Sequence, residues 1–323
     1  MTVEEAFTAV TYHYVRPVAG SMHPRLSALE LAAFVRQIED LARWVDFVDV
    51  EQVARWVHER VPLPARAVLL TFDDGYADHF RHVRPALLER GIPAVFFLPG
   101  AAVVERVPLD ANLVQFLLAS VASVDELVLE IEDALRADGM GAAAIEALRD
   151  AECRPAFFDE ASVVYVKRLL QYAAPEPLRS QLLDDLFRRH VSSDPAGFAD
   201  ELYLSCEQAE QLVDDGFHLG GHGWSHRRLS RLPAPTVDDE LARSLALIER
   251  LDPDGGRLSF CYPYGDHSDA VVDQLGRQGV ATAFTVETGA VRTGDDALRM
   301  PRVDTNDVGS LLRPPGVAPA PPR

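Results

Sequence analysis

Val68-Leu69-Leu70-Thr71-Phe72-Asp73-Asp74-Gly75 decides how the rest of the chain is read. An apolar run meets two adjacent carboxylates and a glycine. A near-continuous apolar stretch of this length predicts a strand buried on both faces, as in a parallel sheet, with the Asp-Asp-Gly in the loop at its carboxyl end. Working outward, residues 76–90 have helical spacing and are closed by Gly91, and 95–98 is another buried strand. Residues 9–15 read as an earlier strand; 217–220, 258–262, 280–286 and 300–303 read as later ones. Helices are expected over 237–251 and about 269–277. Another is expected after Ser27, which has the spacing of a capping box with Glu30 and precedes the apolar face Leu31, Phe34, Val35, Ile38 and Leu41. Seven or so strands separated mostly by helices predict a parallel α/β barrel or open sheet, whose chemistry gathers at the carboxyl ends of the strands.

The stretch from about 105 to 200 breaks this rhythm. It is rich in Ala, Leu, Glu, Asp and Arg at helical spacing, without a convincing strand, and reads as a helical insertion in the connection after the 95–98 strand. The last residues, 311–323, are proline-rich and expected to be disordered. One barrel over 1–310, interrupted at about 105–200, is the expected organisation.

Composition narrows the function. The chain has 323 residues and a formal net charge of −19, from 31 basic and 50 acidic residues. That balance argues against nucleic acid or an anionic membrane as partner, because phosphate binding runs on positive charge. Lys167 is the only lysine, so lysine-nucleophile chemistry has one carrier, in an ordinary helical context. The three cysteines, 153, 206 and 261, form no CxxC, which argues against a disulfide framework and a thiolate zinc cluster. The start has no basic region ahead of an apolar run, and no stretch approaches 18 apolar residues. A cytoplasmic protein without a membrane span is expected.

Three strand ends carry unusual polar clusters. At Asp73-Asp74, neighbouring side chains point different ways, so one carboxylate is free to bind a metal while the other faces a reacting water; the plain alternative is an Asx-turn or helix cap. In Gly-Gly-His-Gly-Trp-Ser-His, His222 and His226 are spaced to reach one metal ion. Cys-Tyr-Pro-Tyr-Gly, 261–265, is a turn able to present amide N–H groups to an oxyanion, or simply a strand-ending turn. One carboxylate and two histidines make a three-ligand set with open positions, the arrangement of a catalytic metal site. The second carboxylate is then a candidate base for the attacking water. No G-x-S-x-G elbow, HExxH or P-loop competes.

Asp73-Asp74, His222/His226 and Tyr262-Pro263-Tyr264-Gly265, in that order, resemble the polysaccharide deacetylase family (NodB homology, carbohydrate esterase family 4) over roughly 8–100 and 205–305. The resemblance implies a distorted (β/α)7-type barrel and metal-dependent removal of acetyl groups from N-acetylated sugars. It implies Asp73 as general base, Asp74, His222 and His226 as metal ligands, and the Tyr264 backbone N–H as oxyanion donor. The family's general acid is a histidine, often in a late Leu-x-x-His-like motif that this chain lacks. Some members carry it in an early Tyr-His strand, and Tyr12-His13 fits that place, so His13 is assigned as the acid; a hydrogen-bonded core histidine is the alternative. The chain departs from the pattern twice. Gly223 replaces the usual Ser/Thr after the first histidine, and Cys261 stands where many members have an arginine that orients the base. Arg302, on the last strand, is the expected replacement. Asp304 and Glu287 are weaker pocket candidates, better read as solvated loop acids.

The implied cofactor is a divalent metal, Zn²⁺ first, with Co²⁺, Ni²⁺ or Fe²⁺ as alternatives. The implied substrate is an acetylated sugar or glycan; without an export signal, a sugar nucleotide, a lipid-linked or nascent glycan or a small acetylated metabolite is expected. The insertion is expected to act as a lid or a homodimer contact. The competing readings are an amidase of the same fold acting on a ureide or formamide, and a catalytically inactive carbohydrate-binding module.

Overall fold

A computed structural model describes residues 6–155 and 159–310; the proline-rich stretch 311–323 lies outside them. Seven strands form the central layer: β1 (Ala6–Tyr12), β2 (Ala67–Phe72), β3 (Val95–Leu98), β4 (His218–Gly221), β5 (Ser259–Cys261), β6 (Thr282–Thr288) and β7 (Met300–Asp304). Each pairs in parallel with the next, and β1 pairs in parallel with both β2 and β7. The ring therefore closes, as a (β/α)7-type barrel, and closure removes the exposed edges of an open sheet. Asp46–Phe47 is added in parallel beside the start of β2, and Val291–Arg292 antiparallel beside the start of β1.

Alternation along the strands sorts the core into two sets. Val10, Tyr12, Val68, Leu70, Phe72, Phe96 and Leu98 pack with helix residues such as Phe34, Ile38 and Leu41. Ala9, Leu69, Val95, Phe97, Cys261, Phe284 and Met300 pack with one another and with Trp56 of the helix Val50–Glu59. The second set is the inner one. Continuing its period by two places Thr11, Thr71, Asp73 and Arg302 on the same inner face, at the carboxyl ends.

Three local expectations change. Ser27 and Glu30 form no capping box: Leu29–Glu30 pairs in parallel with Val15–Arg16, and helix Leu31–Ala42 starts from an extended Glu30 with no side-chain cap. Strand pairing holds the backbone that a capping box needs. Residues 76–90 are not one α-helix but a wide, π-type turn, His79–Val83, leading into a short helix, Arg84–Leu88. Pro85 has no N–H for the ladder, and the step in helical period falls just before it. The helix expected from 237 begins at Ala234, since Pro235 is tolerated in a first turn. Two helices were not expected, Val50–Glu59 and Cys206–Asp214; both open with a capping box, Asp49 with Gln52 and Ser205 with Gln208.

Contacts divide the chain into two compact units, the barrel unit and a second one made of Val18–Ser27 and Val107–Ala199. The second unit is helical, including Asp110–Ser120, Val124–Ala137, Ala142–Glu152, Ala161–Arg168 and Leu178–His190. Phe116, Ile131, Leu135, Tyr165, Leu186 and Phe187 are buried there. So is Glu132, whose carboxylate is satisfied by Arg149 at 2.7 Å, Arg136 at 3.2 Å and the Tyr165 hydroxyl at 3.2 Å. Arg25 joins the 18–27 segment to this unit through the Ala119 carbonyl, 3.1 Å away. No helix among the described residues is long and apolar enough to cross a membrane.

Candidate active site

β2 delivers Asp73 to the inner face, where a guanidinium meets it. Arg302, from β7 and 2% exposed, donates to Asp73 Oδ1 at 2.9 Å and Oδ2 at 2.7 Å. The same guanidinium is held from behind by the Thr285 carbonyl at 2.9 Å and the Thr71 hydroxyl at 3.0 Å. Thr11 Oγ1 and Cys261 Sγ lie 3.4 and 3.5 Å from Asp73 Oδ2. Burial raises a carboxyl pKa, but the charge and hydrogen bonds of Arg302 reverse that and hold Asp73 well below the usual carboxylate range. Burial pushes the Cys261 thiol up, so beside this ion pair it is a neutral S–H.

Asp74 leaves the strand at φ +71°, a left-handed conformation that Asp tolerates better than most residues. That turn separates its carboxylate from that of Asp73. Asp74 Oδ2 accepts the hydroxyl of buried Tyr76 at 2.5 Å. Its other oxygen, Oδ1, lies 3.3 Å from His222 Nε2 and 3.2 Å from His226 Nε2.

The histidine loop follows β4, which runs against its neighbours too closely for side chains: a Cβ on Gly220 would stand 2.4 Å from the Phe97 ring. Gly223 then turns at φ +70° and His226 at φ +53°, bringing the ring centroids to 4.8 Å. His222 Nδ1 lies 2.6 Å from the Cys261 carbonyl, which can only accept. The proton is therefore on Nδ1, and the Nε2 lone pair faces Asp74. Tyr264, at φ +59° in the turn after Pro263, lays its ring 4.7 Å from that of His226 and carries the Arg228 guanidinium 4.4 Å above it.

His13, directly after β1, places Nε2 3.8 Å from Asp73 Oδ2 with its side chain 45% exposed. Its carbonyl accepts from His79 Nε2 at 2.9 Å. Burial lowers the His79 pKa from 6.5 to about 4, so that imidazole is neutral.

Six of the seven sequence-predicted residues thus meet through polar atoms, and Tyr264 joins them by ring contact. Asp304 engages Asn306 and Glu287 is exposed. Tyr76 was missed, since a tyrosine at a helix start reads as core.

The donor set fits a divalent cation. Asp74, His222 and His226 each offer one atom, all within 4.8 Å of one another. Asp74 Oδ1 is buried without a hydrogen-bond partner, opposite an imidazole lone pair. A carboxylate oxygen facing a lone pair is repulsive unless a cation stands between them, and two nitrogens with one oxygen leave further positions open.

A closed parallel barrel with this carboxylate–imidazole cluster at one mouth defines a class of hydrolase scaffolds. The polysaccharide deacetylase model matches residues 60–134 and 189–283, and the chain belongs to that family. Its fold is similar to IcaB from Ammonifex degensii (TM-score 0.57, 19% identity, 95% of this chain and 96% of that one). It is also similar to the deacetylase PplD from Streptococcus pyogenes in complex with acetate (0.58, 12%, 96% and 100%). A third likeness is to a de-N-acetylase from Aggregatibacter actinomycetemcomitans (0.52, 15%, 95% and 100%). No curated protein matches the chain.

Proposed function

We propose that the protein is a metal-dependent hydrolase that removes an N-acetyl group from a sugar-containing substrate, releasing acetate. The observation that carries this reading is the two-carboxylate arrangement. Asp74 aims one oxygen at two imidazole nitrogens, while Asp73, one residue away, is held ionised by Arg302 and lies 3.8 Å from His13. Family membership and the similarity to a deacetylase solved with acetate support the same reaction.

Asp74, His222 and His226 would hold the cation, with Zn²⁺ the first candidate. When bound, it supplies Lewis acidity toward the acetyl carbonyl and the attacking water. Asp73 is the base that takes the water's proton, kept in its ionised, correctly turned form by Arg302. His13 faces solvent beside it and gives a proton to the departing amine, a poor leaving group otherwise. Tyr264, in its left-handed turn, offers its backbone N–H to the oxyanion, a contribution of about 3 kcal/mol for donors of this type.

The test is acetate release from a panel of N-acetylated sugars by purified protein, with and without Zn²⁺ or Co²⁺, alongside ureides and formamides. Metal-dependent acetate release from a sugar is expected. Turnover of the ureides alone would replace this reading with an amidase, and metal binding without turnover of anything would favour a binding module.

A further inference from the structure

Two ligands on one loop are only as well placed as the loop between them. Residues 222–226 turn sharply at Gly223 and again at His226, both left-handed, and Gly223 has no side chain with which to brace the turn. The brace comes from elsewhere. Glu240, 6% exposed on the helix Ala234–Leu251, directs its whole carboxylate into this loop. Its Oε2 accepts the backbone N–H groups of Trp224 and Ser225, each at 2.9 Å, and its Oε1 accepts the Ser225 hydroxyl. The opposite edge of the loop is held by backbone: Gly100 N–H donates to the Gly223 carbonyl at 3.1 Å and Ala101 N–H to the Trp224 carbonyl at 2.8 Å. The fit at Gly223 is close, since a Cβ there would lie 3.3 Å from Pro263 Cγ and 3.5 Å from Glu240 Oε2.

We infer that Glu240 is a positioning residue: by gathering the Trp224 and Ser225 donors onto one carboxylate it fixes the separation of the His222 and His226 nitrogens, and so sets the affinity for the metal. The inference rests on the metal-centre reading above. Glu240 touches neither the candidate ligand atoms nor the reacting groups. It acts through the peptide units between the two histidines, as hydrogen-bonding partners behind a ligand generally do.

The experiment is Zn²⁺ titration against a competing fluorescent chelator, on wild type, Glu240→Gln, Glu240→Ala and Glu240→Asp, with near-ultraviolet circular dichroism to register folding. Glu240→Ala should weaken Zn²⁺ binding about 10- to 100-fold, the usual range for losing a group behind a ligand. Glu240→Gln keeps an oxygen for the two amides and should stay within about threefold of wild type, a rescue that overall packing damage would not produce. If Glu240→Ala does not fold, Glu240→Asp serves: it keeps the charge but is one methylene short, and should lose affinity as Ala does. Wild-type affinity in folded Glu240→Ala or Glu240→Asp would overturn the clamp while leaving the metal centre intact. Failure of the wild type to bind Zn²⁺ would overturn both.

Discussion

Arg302 grips Asp73 with two parallel N–H···O bonds, 2.9 and 2.7 Å long, joining the last strand of the ring to the second. A fork-to-fork pair fixes the plane of the carboxylate as well as its charge, which a point charge on a lysine does not. Residue 261, where an arginine was expected from the family pattern, contributes a thiol to the same carboxylate. The guanidinium has another origin in the chain but reaches the same oxygens.

Arg302→Ala should cost about 3–5 kcal/mol of stability, the penalty for leaving a buried charge without its partner, and should reduce acetate release steeply. Arg302→Lys should recover more stability than turnover. Urea unfolding and initial rates, measured on the same preparations, check this; undiminished turnover in Arg302→Ala would remove the guanidinium from the chemistry.

Asp73→Asn should abolish turnover with metal content close to wild type, whereas Asp74→Ala and His222→Ala should lose the metal itself. Elemental analysis of the four proteins, purified in parallel, separates the two carboxylates. If Asp73→Asn and Asp74→Ala lost metal equally, the division of roles between them would be wrong.

Tyr76→Phe deletes the hydroxyl on Asp74 Oδ2 and leaves a buried acceptor unsatisfied, at about 1–3 kcal/mol. The freed carboxylate can rotate, so Zn²⁺ affinity should fall about 10-fold or more, while the aromatic stack with Tyr14, with centroids 4.1 Å apart, keeps the ring in place. Chelator competition reads the affinity, and an unchanged value would make the phenol a packing group only.

His79 predicts a pH dependence of stability. Its pKa falls from 6.5 to about 4 on folding, so between these values the unfolded chain binds a proton that the folded chain refuses. Stability from this source is complete above about pH 6.5 and declines by about 3 kcal/mol as pH drops to 4. His79→Phe should flatten the loss over that window. At pH 8 it should itself be less stable by about 1 kcal/mol, having lost the bond to the His13 carbonyl. Denaturation series from pH 8 to 4 test both, and equal slopes would contradict the buried neutral imidazole.

Much of the barrel and its mouth was legible because strand ends announce themselves: Val68 to Phe72 is apolar until Asp73, and His222 follows a strand of glycines too crowded to serve as ordinary core. Arg302 was legible through the gap left at Cys261. Glu240 was not, because Asp238-Asp239-Glu240 reads as a solvated helix face, and nothing in those three acids says which one turns inward. The Val15–Arg16 and Leu29–Glu30 pairing was hidden for a related reason. Two-residue strands carry no period, so the Ser27 to Glu30 spacing suggested a helix start that long-range pairing overrode. Membership of residues 18–27 in the helical unit depends on tertiary contacts such as Arg25 to Ala119, which leave no local trace.

Five non-glycine residues among those described have positive φ, and three of them are Asp74, His226 and Tyr264. Each holds a conformation that costs about 1–3 kcal/mol for a residue with a side chain, and glycine would relax it. Laboratory evolution for heat tolerance alone would therefore drift toward glycine at these three places, yielding sturdier proteins with an emptied mouth. Tyr264→Gly is the informative case. It removes no proposed ligand, so a rise in melting temperature with a fall in turnover would expose how far endurance and chemistry pull this chain in opposite directions.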